Sequence, residues 1–171
     1  ASEAGTEARL HGALAAELRW PWVRPGKGGV AHVIEPVVQL VLAPGGSDNM
    51  TNEDSTLVEF DEGNLFALNR YPGSDAVERG ARANIGLNYL RHDPSGWTLG
   101  LTAGRVFRAD DLGQFTAASG LDGVRSDWLA AWAVTAPWGL SLTNRILLDD
   151  AFDLTKAELR LGLTAERLAL S

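Results

Sequence analysis

Three histidines, a serine beside a glycine and a run of acids are the residues in this chain whose types could do chemistry. Hydrolysis by a serine needs a histidine within hydrogen-bond reach and a third group to orient it. His11, His32 and His92 form no ordered Ser/His/acid string. His11 shares a polar face with Glu17, His92 sits in a turn, and Ser119-Gly120 reads as a loop. The expectation is that the chain is not an enzyme.

Asp48, Glu53, Asp54, Glu59, Asp61 and Glu62 offer oxygen ligands for a hard cation. No twelve-residue loop of the required spacing holds them, so a solvated acidic loop without metal is expected. PGKGG (25–29) lacks the Lys-Ser/Thr ending of a phosphate loop and reads as a hairpin turn, so no cofactor is expected. Absence of Cys excludes disulfides and thiolate chemistry. A net charge of -7 with no basic stripe argues against nucleic acid as a partner. No apolar run approaches 18 residues, and residue 1 is not Met, which suggests a processed chain or a fragment.

A different polar set is larger and more regular. Glu17, Arg19, Glu35, Gln39, Arg82, Asn84, Asn88, Arg145, Lys156, Glu158, Arg160 and Glu166 each take the polar half of a segment that alternates with a period of two. Seven such segments are predicted as strands, at about 9–23, 31–43, 78–91, 97–108, 125–136, 138–149 and 154–168. In the last, apolar residues at 157, 159, 161 and 163 would circle a helix rather than form a stripe, so the strand reading prevails. In the fourth, parity weakens at Arg105 and Val106, and a bulge is expected there. Short turns (RPGKGG, HDPS, PW) alternate with long loops at about 44–77 and 109–124 and a shorter DAFD.

The whole chain, 1–171, is therefore read as one all-β domain of antiparallel up-and-down strands. Short turns at one end and longer loops at the other are the pattern of a transmembrane β-barrel. Trp20, Trp22, Tyr89, Trp97, Phe107, Trp128 and Trp138 lie at segment ends, as interfacial aromatics would. A soluble sandwich alternates in the same way. Segments of this length exceed the usual strand of about 5 to 6 residues, however, and the polar positions are rich in Gly, Thr, Asn and paired charges, as a wet lumen would be. The twelve polar residues above are then lumen-facing candidates, most of them serving as cross-strand pairs.

HVIEPVVQL (32–40) places Pro36 inside a strand, where it cannot donate to the ladder. Pro36 falls with the lipid-facing set, and a bulge or local bend is expected there.

Several stretches go beyond pattern. His32 to Pro36, Asp54-Ser55, Leu65-Phe66, Arg70 to Gly73 and Ala83-Asn84 occur in order, followed by GRVFR and SGLDGVRSDWLAAW. This series resembles the barrel of the lipopolysaccharide-assembly outer-membrane protein family, LptD, over about residues 30–136. The resemblance implies a large barrel, usually given as 26 strands, in the outer membrane of a Gram-negative cell. Such a barrel assembles lipopolysaccharide into the outer leaflet through a lateral seam. It also implies an LptE-like plug lipoprotein and periplasmic bridge proteins as partners, with outer-membrane lipid around the wall. On that reading the polar set lines a path for a phosphorylated saccharide or touches the plug. The chain has no periplasmic jellyroll and no linking cysteines, and seven strands are too few to close such a lumen, so a C-terminal-half piece of the barrel is expected. The competing expectation is a porin or adhesin-type barrel with no role in lipid assembly.

Overall fold

The computed structural model describes residues 12–44, 58–72, 76–165 and 168–170. Among these described residues nine strands form one antiparallel sheet: β1 (Leu14–Arg19), β2 (Trp22–Pro25), β3 (Ala31–Ala43), β4 (Gly80–His92), β5 (Thr98–Arg108), β6 (Trp128–Thr135), β7 (Leu140–Leu148), β8 (Leu154–Ala165) and β9 (Leu168–Leu170). β1 and β2 both pair with β3, and from β3 onward each strand pairs with the next in sequence. The described residues contain no α-helix, only two single 3-10 turns. β1 and β2 together occupy the first expected strand; β9 is an addition that pairs back on β8. Glu166 and His11 lie outside the described residues.

Strand pairing turns the two-residue period into two faces. Leu18, Val38, Ile85, Leu87, Leu101, Leu159 and Leu161 share one face, and all are exposed. Among the described residues nothing covers this apolar face across the width of the sheet, which water would penalise and lipid would not. Trp97, immediately before β5, and Phe107 on β5 border it. They are ten residues apart, about 33 Å along the strand and about 25 Å along a bilayer normal at a tilt of about 40°. That is the height of the apolar band of an outer-membrane barrel. Trp97 packs edge-on to Trp138 at the short-turn end, and Trp128 stacks on Phe152 at the long-loop end.

Among the polar residues on the apolar face, Asn144 and Arg105 are closed, while Arg24, His32 and Arg91 stand together at its short-turn end. Asn144 donates its Nδ2 to the Glu158 carbonyl at 2.9 Å. Arg105 is 6 % exposed, held between Phe107 and Trp128 with its Nε donating to the Ser126 carbonyl and its guanidinium paired to Asp150. The irregularity expected at Arg105 and Val106 lies on the β6 side: pairing runs to Gly104↔Leu129 and resumes at Phe107↔Arg125, with one extra residue opposite Arg105 and Val106. The β4–β5 register runs unbroken from Arg82↔Arg108 to His92↔Thr98, so Arg105 stays on the apolar face and Val106 on the polar one. The parity had looked weak because an arginine stood where an apolar residue was expected. Within the β7–β8 ladder a register shift lies between Leu147 and Leu148.

Pro36 makes neither bulge nor register shift in β3. The Trp20 N–H donates to the Pro36 carbonyl at 3.1 Å, so Pro36 directs its missing donor toward the same neighbour. The reciprocal rung cannot form, and the adjacent strand is split there into β1 and β2. Arg19↔Val37 and Trp22↔Ile34 keep one register across the gap, so the irregularity is a lost hydrogen bond rather than an extra residue.

Candidate functional site

The polar face is not uniformly wet. At the long-loop end it carries Val37 and Val41 of β3, Val106 of β5, Leu129 of β6 and Leu147 of β7, all buried. They are covered by the two long loops. Asp61 and Asn64 exchange backbone-to-side-chain hydrogen bonds of 2.8 and 3.0 Å, and the Asn64 Nδ2 donates to the Glu59 carbonyl. This turn aims Phe60 and Leu65 down onto the sheet. Gly86 and Gly104 supply the space: a Cβ at Gly86 would lie 2.7 Å from Phe66 and 3.0 Å from Leu65. The second loop meets the first where the Phe60 N–H donates to the Ser119 carbonyl at 2.9 Å, and it contributes Leu121. Phe60, Leu65, Val106, Leu121, Leu129 and Leu147 form one dry cluster between loops and sheet.

Beside that cluster lies a buried cation group. Glu78, fully buried, takes Arg70 at 2.6 Å, Arg108 at 3.2 Å and Arg82 at 3.6 Å. Three guanidiniums on one carboxylate leave an excess of two positive charges, spread by backbone carbonyls. Arg70 donates to Leu65 O, Arg82 to Leu68 O and Arg108 to Leu121 O, so the arginines bind the loops to the sheet. Arg70 also donates to the Asn84 Oδ1 at 3.1 Å. Burial pulls the Arg70 guanidinium down to about 10, against the opposing pull of Glu78, and it stays charged at neutral pH. Tyr71, stacked on Phe115 and donating its hydroxyl to the Gln114 carbonyl, is raised by burial and then by Glu78.

From this knot the polar side chains run across the sheet as a network. Asn84 donates to Gln39 at 2.6 Å, and Gln39 donates to Glu17 at 2.8 Å and to the Phe66 carbonyl at 3.1 Å. Arg19 bonds Glu17 at 2.5 Å and Glu35 at 3.0 Å, with its guanidinium over the Phe66 ring. Asn88 links Glu35 to Thr102. Across the sheet, Arg145 reaches Glu158 at 3.0 Å and Glu62 at 2.7 Å, and Lys156 reaches Glu158 at 3.4 Å and Glu59 at 2.8 Å. Arg160 is exposed and 3.7 Å from Glu158. Eleven of the twelve polar residues singled out from sequence thus share one face; Glu166 is the twelfth.

The acidic loop is not free in solvent where it is described. Glu59 and Glu62 bond Lys156 and Arg145, which hold both carboxyls below the ordinary carboxylate range, and Asp61 is used in the turn. Asp48, Glu53 and Asp54 lie outside the described residues, among which no group of carboxylates and histidines is placed to hold a metal. His32 bonds the Tyr89 hydroxyl at 2.9 Å rather than any serine. Sequence reasoning missed Glu78 and Arg108, and it placed Arg70 only in the string that carries the family resemblance. The stretch NRYPGSDAVERGAR shows the charges but not that they fold back on one another. It also missed Val37, Val41, Leu129 and Leu147, which sit inside apolar runs where both faces read alike.

An open antiparallel sheet with an exposed, aromatic-bordered apolar face and a networked polar face is a section of a large transmembrane β-barrel. The chain matches the family model "LptD: LPS transport system D" over residues 2–171, and it belongs to that family. The match extends well beyond the stretch 30–136 that carries the resemblance in sequence. No curated protein matches the chain.

Proposed function

We propose that this chain is a stretch of barrel wall that assembles lipopolysaccharide into the outer leaflet, with its networked face toward the lumen and its apolar face toward lipid. The observation that carries the reading is the family match lying on a sheet whose two faces differ so completely. Lipopolysaccharide is the cargo on this reading. Glu17, Arg19, Glu35, Gln39, Arg82, Asn84, Asn88, Arg145, Lys156, Glu158 and Arg160 line the lumen, and an LptE-like plug and periplasmic bridge proteins are the partners. Long extracellular loops and short periplasmic turns set the sidedness. The loops that close over the polar face then form a floor beneath the outer surface.

Photo-crosslinking in the full-length barrel tests this. A crosslinker at Asn88 or Arg19 is expected to form adducts with lipopolysaccharide during export, and one at Leu87 or Leu101 is expected to form far fewer. Equal adducts from both faces would overturn the assignment of faces. A folded barrel giving none from the polar face would leave a porin or adhesin-type wall.

A further inference from the structure

The apolar face carries a cavity of about 680 Å³ at the short-turn end, lined by residues of β2, β3, β4 and the turn after β2. Its order of chemistry follows the strands. Trp22, Ile34 and Tyr89 form one row across three strands, and Arg24 lies opposite His32 in the row two residues nearer the turn. Those rows are about 7 Å apart along the strand. Lys27 sits beyond them, in the turn itself. From mid-sheet outward the cavity therefore passes from one row of Ile34 between Trp22 and Tyr89, to Arg24 and His32, to Lys27.

No carboxylate among the described residues lines it. Among the described residues Arg24 and Lys27 have no ion-pair partner, whereas Arg91 nearby is taken by Asp93 at 2.9 Å. In a chain of net charge -7, two unneutralised cations in a cavity on the lipid-facing side are out of character. His32 is fixed by its bond to Tyr89, and its Nε2 edge lies over Gly26, where a Cβ would stand 3.0 Å away.

We propose that this cavity holds the headgroup of an anionic glycerophospholipid from the leaflet at the short-turn end. The phosphate lies at Arg24 and Lys27, the glycerol at Tyr89 and His32, and an acyl chain runs over Trp22 and Ile34. Cations beside apolar surface at one membrane interface are the arrangement that recognises such lipids. The inference rests on the membrane placement proposed above, but not on lipopolysaccharide being the cargo.

The test uses the full-length barrel in nanodiscs of phosphatidylcholine doped with phosphatidylglycerol, and native mass spectrometry counts the lipid that stays bound. Wild type is expected to retain phosphatidylglycerol over phosphatidylcholine. The double variant Arg24→Gln/Lys27→Gln is expected to lose about thirtyfold in that preference, each cation near an anionic lipid being worth roughly fivefold. Arg24→Lys/Lys27→Arg should keep it. Heat-modifiable mobility confirms that every variant is folded. Equal retention of the two lipids by wild type, or unchanged retention by the double Gln variant, would overturn the proposal. So would displacement by millimolar inorganic phosphate, which would mark a plain anion site, or by lipopolysaccharide in preference to phospholipid. Lipopolysaccharide export, assayed separately, should survive both substitutions. Failed export in wild type with phosphatidylglycerol still retained would sink the cargo reading and leave this one standing.

Discussion

The same polar face behaves as two different materials at its two ends. Near the long loops Val41 of β3 and Asn84 of β4 are fully buried, with Arg70 of the loop bonded to Asn84, and Val106 and Leu129 are packed with Phe60 and Leu65. Near the short turns, on that same face, Val23 is 69 % exposed and Leu90 48 %. The β3–β4 and β4–β5 pairings run unbroken from one end to the other, so the difference is not one of secondary structure. It comes from the loops, which bring their own apolar side chains and carbonyls to one end only. A barrel wall of this kind needs no core of its own, since lipid serves one face and water the other. It acquires a core only where a loop folds back.

If the long-loop end is a true core, removing its central charge should do the largest damage. Glu78→Gln strands three buried guanidiniums and is expected to cost about 3 to 5 kcal/mol, read as a drop in unfolding temperature with new protease sensitivity at 58–72. A cost no larger than that of Glu62→Gln would show that the cluster is wet and the comparison false.

The two faces can be set against each other at mid-strand. Leu87 of β4 lies opposite Pro36 and Ala103 on the apolar face, and Leu87→Arg should cost about 2 to 4 kcal/mol, the penalty for arginine in the lipid band. Asn88→Arg, one residue on and beside Glu35, should cost well under 1 kcal/mol. Similar losses from the two would break the assignment of faces. The same contrast fails at Gln39, which sequence alone would treat as tolerant. It is 5 % exposed and bonded to three partners under the loop.

Gly86→Ala sharpens the role of the loop. The new methyl meets Phe66 and Leu65 and should cost about 1 to 3 kcal/mol by overpacking. Hydrogen exchange is expected to locate the loss in 60–70 rather than in β4. Gly100→Ala, with open space around it at the other end, should be near neutral.

The smallest effect is one of pH. Lys156 and Arg145 hold Glu59 and Glu62 below their ordinary value of 4.5. A carboxylate depressed on folding stabilises fully above that value, and its contribution is lost as pH falls through the folded-state pKa. These are surface pairs, so the loss should be modest. Exchange at 58–66, corrected for intrinsic rate, should rise a fewfold between pH 5 and pH 3. Residues 27–29 at the opposite end should not respond. No rise in the loop would mean that these ion pairs do not tether it.

By itself, the sequence determined the strands, their order and the parity of nearly every segment. Alternation is a local property, and lipid on one side makes it visible without a packed core to blur it. The ordered string from His32 to Asn84 carried the family in the same way. What only the tertiary structure decided was which polar positions are dry. Phe60 meets Ser119, and Arg70 meets Glu78 and Asn84, across stretches whose spacing has no period. Apolar residues on both faces of VVQLVL gave no hint that Val37 and Val41 would lie beneath a loop. Pro36 shows the same division: its place in a strand was legible, but the rung it removes depended on which neighbour its nitrogen faced.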